Sequence, residues 1–182
     1  MRKYLICTVV AVASSAAVMP VAAWAQDSAN WSNSWYGDLG YSLTTRNGAD
    51  LGSVNARVGT KFTPNLGAEG ELNVGVNRDA APALGPSVSE RLNVAVAAYG
   101  VGYLPLGDKF SLLARVGVGE NQFAVNGAGL ESHRDLVSVN YGAGATYSLS
   151  PTNAVRADYT RKSYDHDGGN DNTWALSFQH KF

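Results

Sequence analysis

The 182-residue sequence predicts an all-β fold, an eight-stranded antiparallel up-and-down β-barrel. Apolar and polar residues alternate strictly in eight segments, and "LGAEGELNVGVN" at residues 66–77 shows the pattern clearly. Side chains of a β-strand point alternately to its two faces, so a two-residue period predicts strands rather than helices. Short turns and longer polar connections also alternate along the chain, as expected when strands run up and down side by side.

The first 25 residues are predicted to be a signal peptide. Two basic residues precede an apolar stretch, and Ala23 and Ala25 form the small-residue pattern that signal peptidase cleaves. A retained membrane anchor is the weaker alternative, because Pro20 interrupts the segment. Cys7 is the chain's single cysteine and would leave with the signal peptide, so no disulfide is expected. We assign residues 26–34 to a short periplasmic segment and residues 35–182 to the barrel.

Each predicted strand has an apolar face opposite a face of small, polar and occasionally charged residues. In the fourth strand, Leu92, Val94 and Val96 share the apolar face, opposite Asn93 and Ala95. In chain order, the strands and two apolar residues of each are 35–45 (Leu39, Leu43), 51–62 (Val54, Val58), 66–77 (Leu72, Val74), 91–104 (Val94, Val96), 109–120 (Leu112, Val116), 136–149 (Val139, Tyr141), 154–164 (Val155, Tyr159) and 174–182 (Leu176, Phe178).

The connections predict two unlike rims. Three are tight and combine Pro with Asn or Asp, residues that favour turn geometry: 63–65, 105–108 and 150–153. The other four, around 46–50, 78–90, 121–135 and 165–172, are mostly longer and polar. Short turns at one rim and longer loops at the other are typical of a barrel embedded in a membrane with two different sides.

The apolar face is predicted to be the outer, lipid-facing one. It is almost free of charge, whereas the opposite face carries many small residues that suit a narrow, filled interior. A soluble lipocalin-like binding barrel is the alternative, because alternation alone does not say which face points outward. Aromatic residues near strand ends favour the membrane, since they form girdles at the water interfaces: Trp35, Phe62, Tyr103, Phe110, Tyr147, Tyr164, Trp174 and Phe182.

The stretch "WALSFQHKF" resembles the C-terminal signature of bacterial outer-membrane proteins, a last strand of outward apolar residues that ends in Phe. The residues of the signature are Trp174, Leu176, Phe178, His180 and Phe182, and His180 departs from it because an aromatic residue is more usual there. The resemblance implies that the barrel-assembly machinery reads this strand, and that the strand pairs with the first to close the barrel.

Two hairpin-like stretches, "AYGVGYLPLGDKFSLLARVGVG" and "NYGAGATYSLSPTNAVRADYTR", are similar to those of small outer-membrane β-barrels of the opacity-protein group. This group is similar to the transmembrane domain of OmpA. The resemblance implies a location in the outer membrane, with lipid and lipopolysaccharide as surroundings. The longest polar connections, within 78–90 and 121–135, are where we expect a surface ligand to bind, because loops on a rigid scaffold usually carry binding specificity. Such barrels serve as adhesins, structural proteins, narrow channels or enzymes.

Six charged residues are predicted to form a network inside the barrel: Arg57, Glu69, Glu71, Arg115, Arg156 and Asp158. Arg57 and Glu71 lie on neighbouring strands and can pair directly. Buried charges that are not paired cost several kcal/mol, so we expect ion pairs that fill the interior as a structural plug. The family resemblance implies the alternative of a gate whose pairs exchange to let small solutes pass.

Catalytic, metal and cofactor sites are not predicted. The three His residues, His133, His166 and His180, have no nucleophile placed beside them in a His-x-Ser arrangement. The acidic stretch "DHDGGNDN" lacks the spacing and closing Glu of a hand-type calcium loop and predicts a flexible hairpin tip. A net charge of −1 gives no reason to expect a nucleic-acid partner.

The sequence therefore predicts an integral outer-membrane barrel that is not an enzyme. We expect a structural or surface-interaction role, as an adhesin or opacity-like surface antigen. A narrow porin-like channel is the next candidate. A lipid A-modifying enzyme and a soluble periplasmic binding barrel are the less favoured alternatives.

Overall fold

The structure is a computed structural model that describes residues 34–85, 88–127, 130–165 and 169–182. The predicted signal peptide and all but the last residue of segment 26–34 lie outside the described residues. In chain order, the described elements are β1 (Ser34–Arg46), β2 (Ala49–Lys61), β3 (Leu66–Gly75), the short β4 (Asp79–Ala80), a 3₁₀ turn (Pro82–Leu84), β5 (Val88–Pro105), β6 (Phe110–Gly127), β7 (Leu130–Ser148), β8 (Asn153–Tyr164) and β9 (Asn170–Lys181).

The eight long strands form a closed antiparallel barrel. Each pairs with the next long strand along the chain, and β9 pairs with β1. Closure gives every strand two partners, which satisfies the backbone groups of the wall without water. The predicted eight-stranded up-and-down topology is therefore confirmed. Among the described residues, no helix has the length and apolar character needed to cross a membrane.

The pairing register fixes the tilt of the strands. A row of paired residues starts at Val155 on β8, passes through Phe178, Leu39, Ala56, Leu72, Val96, Glu120 and Val137, and returns to β8 at Asp165, whose backbone N–H bonds to the carbonyl of Val137. The shear of the barrel is thus 165 − 155 = 10 residues. Eight tilted strands with this stagger enclose an interior wide enough for side chains and little more.

The apolar residues of the wall point outward and the polar residues point inward. Leu39, Val116 and Leu176 expose about 60% of their surface, at 64%, 61% and 60%, whereas Asn140 and Arg156 are fully buried. This is the reverse of a soluble barrel, in which water-facing residues are polar. The outward band of Leu, Val and aromatic side chains therefore requires lipid as its solvent, as the sequence predicted.

A β-bulge in β5 reverses one of the predicted facings. The pairing with β6 shifts between Leu92 and Val94, so that Asn93 is an extra residue in the strand. Leu92 was predicted to face outward with Val94 and Val96, and it instead lies inside with 1% of its surface exposed. A single inserted residue turns all following side chains of a strand to the other face.

Two of the eight predicted girdle aromatics belong to the interior. Tyr103 is 7% exposed and its hydroxyl bonds to that of Tyr36. Tyr164 donates a hydrogen bond to the buried carboxylate of Asp171, at 2.6 Å. The other described members face outward, for example Trp174 at 64% exposure. Position near a strand end does not distinguish the outward from the inward aromatic residues, whereas the two-residue alternation along each strand does.

The loop rim is more ordered than the sequence predicts. Residues 121–135 were expected to be a long loop, but β6 and β7 continue through them as a hairpin from Gln122 opposite Asp135 to Gly127 opposite Leu130. Connection 46–50 is a tight turn in which Asn47 and Gly48 both have positive φ (50° and 81°), the geometry of a two-residue hairpin turn.

The connection between β3 and β5 folds over the mouth of the barrel. The N–H of Ala83 bonds to the carbonyl of Asn47, on the far side of β2. Beneath this connection lies a small apolar cluster, which closes the interior at this rim: Ala49, Leu51, Ala81, Leu92, Ala95 and Phe123, with Val88, Leu136 and Tyr164 packed against it.

The inside-out arrangement predicts that an outward charge is tolerated only near a rim. Val116→Arg, on the exposed middle of β6, should cost about 2–4 kcal/mol and reduce the heat-modifiable folded band in membranes, whereas Val94→Arg beside the bulge should cost about 0–1 kcal/mol. Equal loss of folded protein in both variants would contradict the assigned depth, and normal assembly of both would contradict the lipid-facing assignment.

Candidate functional site

The centre of the barrel holds a carboxylate between two guanidinium groups. Arg57 on β2 and Glu71 on β3 are directly paired residues, and Arg57 Nε lies 2.7 Å from Glu71 Oε2. Arg115 Nη1 on β6, two strands away from β3, reaches the same oxygen at 2.8 Å. The Arg115 guanidinium also bonds to the hydroxyl of Thr160 and stacks on Tyr99, 4.4 Å from the ring centre. Glu71 therefore joins β2 and β3 to β6, and Arg115 extends the connection through Thr160 to β8 on the opposite wall.

A second group of charges surrounds Arg156. Its guanidinium bonds to both oxygens of Glu69 and lies 3.0 Å from Asp158 Oδ1 and 3.3 Å from Asp38 Oδ2. Asp158 Oδ2 is 3.1 Å from Arg57 Nη1, which connects this group to the first. The structure thus joins all six residues singled out in the sequence into one network.

Asp38 is a seventh member that the sequence reasoning left out. It lies 3.6 Å from Arg57 as well as near Arg156, and its side chain is fully buried. The signal was present, because Asp38 alternates with the outward Leu39 on the first strand. With three arginines and four carboxylates, this network has a formal charge of +3 − 4 = −1.

Two tyrosines close the network toward the short-turn rim. Tyr36 donates a hydrogen bond to Glu69 Oε1 at 2.6 Å, and the Tyr36 and Tyr103 hydroxyls are 2.5 Å apart. The Lys61 ammonium lies over the Tyr103 ring, 4.0 Å from its centre. Gly59 makes room for this layer, since a Cβ there would fall 2.2 Å from the Tyr36 ring. Large rings over glycines thus plug this end of the interior.

A separate ionic cluster lies at the loop rim, and the sequence reasoning missed it. Arg46 pairs with Glu90 Oε1 at 3.0 Å and with Asp171 Oδ1 at 2.8 Å. The Arg46 guanidinium packs against both Phe123 and Tyr164, 4.5 and 4.7 Å from their ring centres, and the two rings meet edge-on. Cation–π contacts of this kind gain strength when they are shielded from water.

Asp171 shows why the prediction for its segment was wrong in part. It belongs to the acidic stretch that was interpreted as a flexible hairpin tip, yet it is paired in β9 and fully buried. Asp171 lies two residues before Thr173 and six before Ser177, so it shares their inner face. His166 and Asp167, from the same stretch, lie outside the described residues.

Polar amides fill the space between the two charged clusters. Lys162 is buried and donates to Asn121 Oδ1 at 3.0 Å, and Asn140 donates to the Tyr99 hydroxyl at 3.2 Å. Several buried polar atoms among the described residues have no direct partner, including Asn55 Oδ1, Asn140 Oδ1 and Arg57 Nη2. Such atoms are normally satisfied by buried water, so we expect isolated water molecules here rather than apolar voids.

The five signature residues of the last strand all point outward. Phe178 is 50% and Phe182 82% exposed, and the N–H of Phe182 bonds to the carbonyl of Trp35 on β1. His180 Nδ1 lies 2.8 Å from Asn153 Oδ1, and its ring meets that of Phe182 edge-on at 5.3 Å. His180 thus packs in the aromatic position that it occupies in the sequence signature. Recognition of this strand by an assembly machinery stays a prediction.

Within the described residues, His133 is not placed beside a serine that could act as a nucleophile. It is exposed on β7, pairs with Ala124 in the register, and its neighbour Ser132 points to the other face. Arg46, Arg57, Arg115 and Arg156 are each held by carboxylates, and these ion pairs connect strands that are not neighbours in the wall.

The two-sided role of Glu71 predicts a large loss of stability when its charge is removed. Glu71→Gln leaves Arg57 and Arg115 facing each other around a neutral amide, and breaking a buried pair in this way costs about 3–5 kcal/mol. Urea unfolding in bilayers measures it, with Glu120→Gln on the outer face as the matched control, expected within about 0.5 kcal/mol of the parent. A similar change in both variants would show that the network contributes little.

Comparisons with known proteins agree with this architecture. A family model described as "Outer membrane protein beta-barrel domain" matches residues 8–182. No curated protein sequence matches the chain.

Among solved structures, the chain is similar to Ail, the attachment invasion locus protein of Yersinia pestis, with 19% identity and a TM-score of 0.60 over 84% of this chain and 100% of Ail. It is also similar to the N-terminal β-barrel domain of Pseudomonas aeruginosa OprF (12% identity, TM-score 0.61, 82% and 97% covered) and to Neisserial surface protein A (10%, 0.54, 82% and 97%). These likenesses confirm the fold and the predicted resemblance. The chain belongs to the outer membrane protein β-barrel family.

Proposed function

We propose that this outer-membrane barrel is a surface-interaction protein whose closed interior serves stability and whose loop rim presents a binding wall. The observation that carries the proposal is the unequal length of the strands. β5, β6 and β7 have 18, 18 and 19 residues, whereas β1, β2, β8 and β9 have 12 or 13. Since a membrane crossing needs about 9–11 residues, three adjacent strands extend well beyond it on one side.

The extended part of β7 supports the proposal because, within the described residues, one of its edges has no strand partner. Residues Leu130–Leu136 of β7 pair with β6, and pairing with β8 begins only at Val137, whose carbonyl accepts a hydrogen bond from the N–H of Asp165. A strand edge offers unpaired N–H and C=O groups to which an extended peptide can add. His133, Arg134 and Asp135 on this edge are exposed and charged or polar, which suits a soluble partner and disfavours unspecific aggregation.

The barrel interior supports a structural role in preference to a pore. Its axis is crossed by the Glu71-centred pairs, by the Tyr36–Tyr103 layer and by the apolar cluster around Leu92 and Phe123. Three layers of different chemistry would all have to move before a solute could pass.

The binding wall can be tested by shortening it. Replacing residues 125–132 with Asn-Gly lets Ala124 and His133, which are opposite each other, end a two-residue hairpin turn. Cells that display this variant should attach to surfaces coated with extracellular-matrix protein no better than cells without the protein. An unchanged heat-modifiable band would confirm that the barrel itself folds. Undiminished attachment of the variant would contradict the proposal.

The closed interior predicts a low conductance. The full chain in planar bilayers should show no sustained channel currents, because the ion pairs and the apolar cap block the axis. Small ions are a sufficient probe, since their current reports any continuous water path through the barrel. Steady currents that Glu71→Gln alters in size would instead favour the narrow channel.

A further inference from the structure

Arg161, on β8, lies on the lipid-facing surface of the barrel. Odd-numbered residues of β8 point outward, as Val155, Ala157 and Tyr159 do, and Arg161 continues this row. It is half-buried. An outward charge in the apolar band is costly, so its presence calls for a partner.

The register gives the height of Arg161 in the wall. A row of paired residues climbs 10 residues in one turn around the eight strands. A line of constant height therefore falls 10/8, or about 1.25 residues, below that row at each step to the next strand. Followed around the barrel from Arg161, this line passes within about one residue of seven outward side chains, all of them apolar: Trp174, Leu43, Val54, Val74, Val96, Val118 and Val139. Arg161 therefore lies within the apolar band.

Arg161 also marks the upper edge of that band. An outward girdle of aromatic residues lies one to two residues below the height of Arg161: Tyr41, Tyr141, Tyr159 and Trp174. The polar Asn172, Thr45 and Ser163 lie one to three residues higher. The guanidinium thus sits where the acyl chains of the facing leaflet give way to its headgroups.

The local contacts leave the Arg161 guanidinium available. Within the described part of the chain, its hydrogen bond is a long one, from Nη1 to Asn172 Oδ1 at 3.4 Å, and no carboxylate lies within ion-pair distance. Asn172 Oδ1 also accepts from the Tyr159 hydroxyl at 2.6 Å. Since its oxygen is engaged from both sides, the Asn172 amide nitrogen remains a donor beside the guanidinium. Two donors of this kind suit an anionic oxygen.

We propose that Arg161 and Asn172 bind the phosphate of a phosphorylated lipid in the leaflet at the loop rim, above the Tyr159–Trp174 pair. The two ring centres are 4.9 Å apart, with the ring planes tilted by 51°, and the rings present an apolar surface below the donors, against which the upper acyl or sugar portion of the lipid packs. The site is separate from the β5–β7 wall, so it does not depend on the proposed surface interaction.

The test is lipid-dependent thermal stability of the full chain. The protein is folded into phosphatidylcholine vesicles that contain increasing fractions of lipid A, and the temperature at which the unboiled folded band disappears is measured. The wild-type protein should be stabilised with saturation. Arg161→Gln should raise the half-saturating fraction about tenfold, because a charge-assisted hydrogen bond is lost, and Arg161→Lys should lie between the two.

Three controls decide the outcome. Lys109→Gln, at the short-turn rim, removes the same charge and should behave as wild type. Enzymatically dephosphorylated lipid A and inorganic phosphate in place of the lipid should each stabilise little. The proposal is overturned if Arg161→Gln saturates like wild type, if Lys109→Gln has the same effect, or if either phosphate control stabilises as strongly as lipid A. Folding of each variant in pure phosphatidylcholine separates these results from a failure to fold.

Discussion

The need to bond every backbone group without water governs this structure. In a bilayer, an unpaired N–H or C=O costs several kcal/mol, and a sheet meets that demand only by closing on itself. Closure with eight strands and a shear of ten residues leaves a narrow interior. Groups there have little contact with water, so a charge must find an opposite charge within reach. The Arg57–Glu71–Arg115 bridge is thus a consequence of how the wall is built, as well as a support for it.

The interior changes character from one rim to the other. Tyr36 and Tyr103 form a hydroxyl layer at the short turns, followed by the arginine–carboxylate network, then by amides around Asn121 and Asn140, and finally by an apolar cluster under the connection between β3 and β5. Each layer ties strands that are not neighbours in the wall. Tertiary order in this molecule therefore comes from polar contacts, whereas the apolar side chains are mostly left to the lipid.

The strand pattern was predictable because lipid imposes one rule on every outward position. The closeness of Arg57 and Glu71 followed from their parity on adjacent strands. Arg156 on β8 and Asp38 on β1 are separated by β9. Their contact depends on the shear of the barrel and on the length of the side chains, which cannot be predicted from local sequence. The loop rim was the least predictable part. Outward side chains at this rim no longer face lipid, so apolar and polar residues stop alternating clearly. The ordered upper parts of β6 and β7 therefore resemble polar loops in the sequence.

The bulge at Asn93 changes which residues of β5 face the interior. Below it, β5 places Ala95, Tyr99 and Val101 inside, all odd-numbered; above it, Glu90 and Leu92 take the inner positions, both even-numbered. Had Asn93 been an ordinary paired residue, strict alternation would have pointed Arg91 into the mouth and turned Glu90 away from Arg46. The bulge therefore lets the lower part of β5 alternate as the lipid-facing wall requires, while its upper part directs Glu90 and Leu92 into the loop-side cap.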